Sequence, residues 1–469
     1  MTHRATGGRA LSTNALARVE GEGAMRVEVR DGELIDVQLN IYEPPRFFEG
    51  FLRDRSFTEP PDITARICGI CPVAYQMSAC AAIEDAIGAT VDGPLRDLRH
   101  LLYCGEWIES HTLHIHFLHA PDFLGYDSAV EMAADHRAVV ERGLEIKKIG
   151  NEILEQVGGR AIHPINVKVG GFYRVPTRRE LQPLRDQLER GRELSIEVVE
   201  LVATLDFPDQ EMAYELVSVD HPTEYPMLGD RVVSDQGLDI GVADFLQHVE
   251  EHHVEHSTAL HARLLERGEY LVGPLARYSL RAEKLSPAAA DAARAVGLGA
   301  TCRNPFQSIV VRAVEVVHAF DTAIALIDGY EQPDAPAVPV VARAGLGHGV
   351  TEAPRGLLYH RYEIDDAGLV RDAIIIPPTS QNQATIEHDL WHYVERHLDL
   401  PDDELRRNAE ITIRNHDPCI SCATHFLDLT VVRRADRDVF DGQSNGFGLV
   451  LLGSVHRHHG GCLGQAVPL

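Results

Sequence analysis

Two stretches at opposite ends of the chain carry the same thiol spacing. RICGICPVAYQ places Cys68 and Cys71 three positions apart, and RNHDPCISCATH repeats the spacing with Cys419 and Cys422. From Cys71 to Cys419 is 348 positions. Cys-x-x-Cys offers two sulfurs from one turn of chain to a single metal. Two such turns brought together give an S4 set suited to soft or borderline ions. Zinc ribbons separate their pairs by about 15–20 residues. The longer span here points to an active centre closed by the two ends of a whole domain. A structural zinc site is the other reading of the spacing by itself.

Composition sets the context for those sulfurs. The net charge is −27, and no basic run is long enough for a phosphate backbone. Nucleic acid and direct membrane insertion are not expected. No apolar stretch reaches the length of a membrane span, and MTHRATGGRALSTNALARVEGEG lacks the apolar core of a secretory signal. The expected compartment is the cytoplasm. There, eight cysteines serve metals, catalysis or packing rather than disulfides.

Residues 25–41 alternate. Met25, Val27 and Val29 share a face, Asp31-Gly32 turns the chain, and Ile35, Val37, Leu39 and Ile41 continue on the return strand. Helical periods follow at 77–88, 94–119, 131–157, 178–204, 241–267, 307–328 and 385–398, with turn-rich breaks near 158–177, 220–240 and 330–356. The expected fold is mostly α with a small N-terminal antiparallel sheet (α+β), its core a bundle of long helices with irregular connections.

The residues around the thiol pairs narrow the choice. RICGICP followed by DPCISCATH resembles the large, catalytic subunit of nickel–iron hydrogenases, most of all the cytoplasmic group linked to NAD(P). The resemblance runs in order along most of the chain. Arg18-Val19-Glu20-Gly21 matches an early block. Arg46-Phe47-Phe48-Glu49 matches another, with Phe47 in place of glycine. SHTLHIHF resembles a further block, with two residues where one is usual before the phenylalanine, and HPINVKVGG, EAPRGLLYH and IIPPTSQN also fit.

That resemblance implies a nickel–iron centre, the iron carrying CO and two CN ligands. Cys68 and Cys419 are its implied terminal nickel ligands, and Cys71 and Cys422 its bridging ones. Glu20 is implied as the carboxylate that takes protons from Cys419. Arg355 is implied over the open face of the metals, with Asp122 and Asp417 around it and Pro354 shaping the same canopy. Thr379 is the hydroxyl implied to hydrogen-bond a cyanide. Glu49 and His425 are implied ligands of a separate magnesium-like ion. Residues 1–425 form one large-subunit domain on this reading. A maturation peptidase then removes residues 426–469 after nickel-insertion proteins have acted. Electrons pass to an iron–sulfur small subunit and on to diaphorase-type NAD(P)-binding subunits. Deazaflavin-linked and hydrogen-sensing relatives are the near alternatives, and a non-catalytic homologue the distant one.

One departure is Tyr75, where the first thiol motif usually has histidine. Its hydroxyl can donate a hydrogen bond but does not titrate near neutrality. Tyr75-Gln76 fits the cytoplasmic, pyridine-nucleotide-linked members. Other motifs read as structural. HVEEH at 248–252 fits a zinc-peptidase pattern on a helix, yet its surroundings are those of a solvated helix. GLGHG at 345–349 is a weak nucleotide signal. His111, His114, His116 and His119 read as packed histidines, and HRHHGGC at 456–462 as a solvated cluster. Cys80, Cys104 and Cys302 read as buried apolar residues.

Overall fold

The computed structural model describes residues 9–424. His425 and the segment 426–469 lie outside them.

Long helices form the main core. α1 (Pro72–Ile87) starts with Pro72 at its first position, where a missing N–H costs nothing. α2 (Pro94–Leu113), α3 (Arg137–Gly158), α4 (Arg178–Val202) and α5 (Ser308–Asp328) pack together around buried leucine, isoleucine and valine side chains. The period over 94–119 is helical throughout, but only to Leu113 is it α. His114–His119 form a π-helical turn, which redirects three histidines before the chain returns to α over Ala120–Leu124 and stops at Gly125. Each then finds a partner: His114 Nε2 lies 2.8 Å from Arg414 O, His119 Nε2 2.9 Å from Asn415 Oδ1, and His116 Nδ1 3.2 Å from Thr112 O.

The N-terminal sheet is antiparallel, in the order β1 (Arg9–Thr13), β2 (Gly23–Arg30), β3 (Glu33–Ile41). The Asp31-Gly32 turn forms, both residues having positive φ. A bulge after Glu28 then shifts the register. Leu34 pairs with Val29 and is buried, while Ile35, expected inside, is 44% exposed. This sheet packs against α6 (Pro378–Arg396) and α7 (Asp402–Arg414) through Met25, Val27, Leu39, Ile386, Leu405 and Ile413. That second core draws the N-terminal segment to the C-terminal thiol motif.

Further strands replace two expected breaks and one expected helix. β4 (Val217–Asp220), β5 (Arg231–Ser234) and β6 (Asp239–Gly241) form one sheet. The expected helix at 241–267 is instead mostly a hairpin, β7 (Val249–Val254) and β8 (Ser257–Leu264). Leu260 and Leu264 mimic a helical i, i+4 pair, but tertiary contacts with α6 and β3 decide the conformation. His248 closes a single helical turn and His252 lies on a strand, so the peptidase pattern has no helix beneath it. β9 (Gly345–Ala353), β10 (Gly356–Ile364) and β11 (Val370–Ile376) form a meander where a break was expected up to 356. GLGHG is part of β9 and lies flat on α1. A Cβ at Gly347 would stand 2.0 Å from Ala82 O, and one at Gly345 2.1 Å from Ala86 O. Only hydrogen fits at those positions, which accounts for the glycines without a nucleotide.

Candidate metal centre

The two thiol motifs meet. Cys68 Sγ lies 3.4 Å from Cys419 Sγ, Cys71 Sγ 3.7 Å from Cys422 Sγ, and Cys419 Sγ 2.8 Å from Cys422 Sγ. All four sulfurs fall within 4.8 Å of one another, all four residues are buried, and none is in a disulfide.

Local structure aims them. Cys71 occupies the N-cap position of α1, and Cys68 Sγ accepts from the Ile70 and Cys71 N–H groups at 3.2 and 3.4 Å. The first turn of α1 is held by buried Glu106, whose oxygens accept from Val73 N and Ala74 N at 2.6 and 3.0 Å. Helix starts leave such N–H groups unpaired. On the other side, Cys419 N donates to Thr379 Oγ1 at 3.0 Å. Arg46 closes the gap between motifs, donating to Ile67 O at 2.8 Å and to Ser421 O.

Glu20 stands beside the sulfurs on a parallel bridge with Cys419. Its carbonyl accepts from Ile420 N at 3.0 Å, and Oε2 accepts from both Cys419 Sγ and Ser421 N at 3.0 Å. Burial raises its pKa, the Cys68 charge adds to that, and the Ser421 and Cys419 hydrogen bonds oppose it. The quartet is itself electrostatically frustrated. Hydrogen bonds from Cys419, Cys422 and Cys71 hold the Cys68 thiol well below its usual range, whereas burial pushes Cys419 well above it. A compact, dry S4 set that cannot carry its full charge fits a thiolate-bound transition metal, whose cation supplies the missing counter-charge.

Arg355 is buried and held by Asp417. Its Nε donates to Asp417 O at 2.7 Å, its Nη2 to Asp417 Oδ1 at 3.0 Å, and its Nη1 to Ser110 Oγ at 3.3 Å. The negative charges of Asp417 and the cysteines keep this guanidinium protonated despite burial. Asp122 does not join it, against expectation. Its oxygens are taken by Arg18 Nη2 at 2.5 Å and by Arg414 Nε and Nη2, both at 2.8 Å. Two guanidiniums outcompete one, and the result ties the Glu20 segment to the segment before Cys419. Pro354 is buried, its carbonyl accepting from Arg277 Nη2 at 3.0 Å. Thr379 meets the Cys419 backbone. Glu49 lies on the short helix Phe48–Leu52, with Oε1 accepting from Ile375 N at 2.8 Å. Phe47, just before it, has φ of 57°, the left-handed region glycine prefers. Tyr75 is buried, which pushes its phenol well up, and the Cys422 and Cys71 charges raise it further; it stays a neutral donor. Burial likewise pushes Cys80 and Cys302 up to about 12.

Sequence reasoning missed Glu106, Ser110 and the buried group beneath Arg355. There Arg277 pairs with Glu315 and Glu352 at 2.8 and 2.9 Å and stacks on Trp107 at 4.2 Å. Glu106 had a signal: it lies four positions after Leu102, on the apolar stripe of α2, where a carboxylate needs a reason.

The chain is similar to known proteins. The sequence profile described as nickel-dependent hydrogenase matches residues 46–160 and 268–425. Sulfhydrogenase 1 subunit alpha of Pyrococcus furiosus is 32% identical, covering 89% of this chain and 98% of its own. NAD-reducing hydrogenase HoxS subunit beta of Cupriavidus necator is 28% identical over 89% of this chain and 95% of its own. A crystal structure of NAD+-reducing [NiFe]-hydrogenase in the H2-reduced state superposes with a TM-score of 0.82, at 27% identity, covering 89% of this chain and 99% of that one.

Proposed function

The chain belongs to the nickel-dependent hydrogenase family, and from that premise we propose how its residues divide the work and where the electrons go. It is the catalytic large subunit of a nickel–iron hydrogenase, catalysing H2 ⇌ 2H+ + 2e−. Cys68, Cys71, Cys419 and Cys422 hold the nickel–iron centre, and the convergence of these four sulfurs carries the reading. When bound, that centre supplies the Lewis acidity and redox capacity for splitting H2 into protons and electrons.

The protein's own part begins at Cys419. Its Sγ lies 3.0 Å from Glu20 Oε2, a donor–acceptor distance short enough for direct proton transfer. Arg355, fixed by Asp417, presents a buried cation to the sulfurs without needing to reorganise. Asp122 acts as a positioning residue for the Arg18–Glu20 segment. Glu106 and Thr379 hold the two thiol turns in place. Glu49, with His425, is our candidate for a second, magnesium-like ion.

Electrons must leave the chain. Among the described residues, cysteines outside the quartet are only Cys80, Cys104 and Cys302, all buried and belonging to no metal-ligand group. An iron–sulfur small subunit is the partner this requires, with NAD(P) as the final acceptor on diaphorase-type subunits. Similarity to NAD-reducing hydrogenases supports that linkage. Nickel insertion and peptidase cleavage after His425 complete the proposal; the mature protein then has a mass ending at that residue. Metal analysis with infrared spectroscopy tests the central assignment. Nickel and iron together with CO and CN bands are expected, and zinc alone contradicts it.

A further inference from the structure

A second group of metal-binding side chains lies away from the sulfurs. The ligand atoms of His256, His261 and Glu387 fall within 4.8 Å of one another. His256 sits in the turn between β7 and β8, His261 is on β8, and Glu387 is on α6. His256 Nε2 is 2.7 Å from Glu387 Oε1. That same oxygen accepts from Leu39 N of β3 at 2.8 Å, which fixes the carboxylate's orientation. Backbone contacts of this kind orient ligands around metals.

His261 is the telling member. It is only 3% exposed, and its Nε2 has no hydrogen-bond partner among the described residues. Leaving such a nitrogen unpaired costs about 1–3 kcal/mol. By contrast, His256 and Glu387 keep side-chain exposures of 21% and 18%, so one side of the group is open to water. Two imidazoles, one carboxylate and an open position form a donor set for zinc-like divalent ions. Magnesium and calcium prefer all-oxygen sets.

We propose that His256, His261 and Glu387 form a binding site for a zinc-type divalent ion, separate from the thiolate centre. The ion would join three elements already in contact. Thr258 Oγ1 of β8 donates to Ile41 O and Glu43 O at 3.0 and 2.8 Å, so the hairpin is seated on the end of β3. α6 carries Thr379 to Cys419 N from its first turn. The role is therefore a clamp between the N-terminal sheet, the hairpin and α6.

The test uses nickel–iron-loaded enzyme stripped of loosely held ions with EDTA. Zn2+ alone is titrated by calorimetry, with bound zinc counted after dialysis and Tm measured with and without it. The proposal expects the wild type to take up one equivalent of zinc per chain beyond any held at Glu49 and His425, and to show a zinc-dependent rise in Tm. Both are lost in His261→Gln and in His256→Ala, while nickel content, iron content and H2 oxidation stay at wild-type levels. His256 is in a partly exposed turn, so its variant decides the matter even if His261→Gln misfolds. No stoichiometric uptake by the wild type, or equal uptake by His256→Ala, overturns the site.

Discussion

Glu20 and Cys419 are 399 positions apart in sequence and 3.0 Å apart in space. If that contact carries the proton, Glu20→Gln keeps nickel and iron but slows H2/D+ exchange by about 100-fold or more. Unchanged exchange removes Glu20 from the path. Asp122 makes a different kind of claim. Its carboxylate is buried between Arg18 and Arg414, and Asp122→Asn leaves Arg18 without its counter-charge and Arg414 with only the longer contact to Glu410 at 3.5 Å. Breaking such a buried group costs about 3–5 kcal/mol, visible as a lowered urea midpoint; an unmoved midpoint contradicts the pairing. The two cysteine pairs were legible because their spacing is local and unusual, whereas Glu20 and Arg355 entered only through the resemblance of the blocks around them. The partner of Asp122 was not legible, because nothing in HAPDFLG says which of several arginines will reach it. Arg18 lies 104 positions away and Arg414 292.

At the level of elements, β9 lies against α1 only because glycine recurs at 345, 347 and 349. Gly347→Ala drives a methyl into Ala82 O and is expected to cost about 1–3 kcal/mol, as overpacking does. Gly50→Ala, with open space around it, serves as the control and leaves Tm unchanged or slightly higher; equal effects of the two refute the close-packing account. α1 carries Cys71 at its start, so the Gly347 variant also loosens one ligand turn and lowers nickel retention. The long helices were legible from their apolar spacing. The β7–β8 hairpin was not, since its Ala, Leu and Glu residues suit helices and its turn, Glu255-His256, lacks glycine or proline. The β9–β11 meander was hidden for another reason. β10 and β11 are buried on both faces over most of their length and lack the polar alternation that marks a half-exposed strand.

Over the whole molecule, burial of titratable groups shapes acid stability. Burial lowers His116 from 6.5 to about 4, with the Thr112 carbonyl acting the other way. Between those values the unfolded chain binds a proton that the folded one refuses. Its contribution is therefore complete above pH 6.5 and lost as pH falls through about 4. Raised carboxyls such as Glu352, pushed by burial to about 7, act in the opposite sense, so the informative quantity is a difference between proteins. The wild type should lose about 3 kcal/mol more than His116→Gln between neutral pH and pH ~4. Parallel pH profiles from urea unfolding contradict that burial. No helix among the described residues is long and apolar enough to cross a membrane.

The molecule's architecture serves one meeting point. Two cores bring the first and last described segments together, so that Glu20, Cys68 and Cys419 share one small volume. X-ray absorption at the nickel edge of the purified protein reads that volume most directly. A sulfur-rich shell around nickel with an iron neighbour is the predicted result. Nickel surrounded by nitrogen and oxygen, with no iron beside it, contradicts the account.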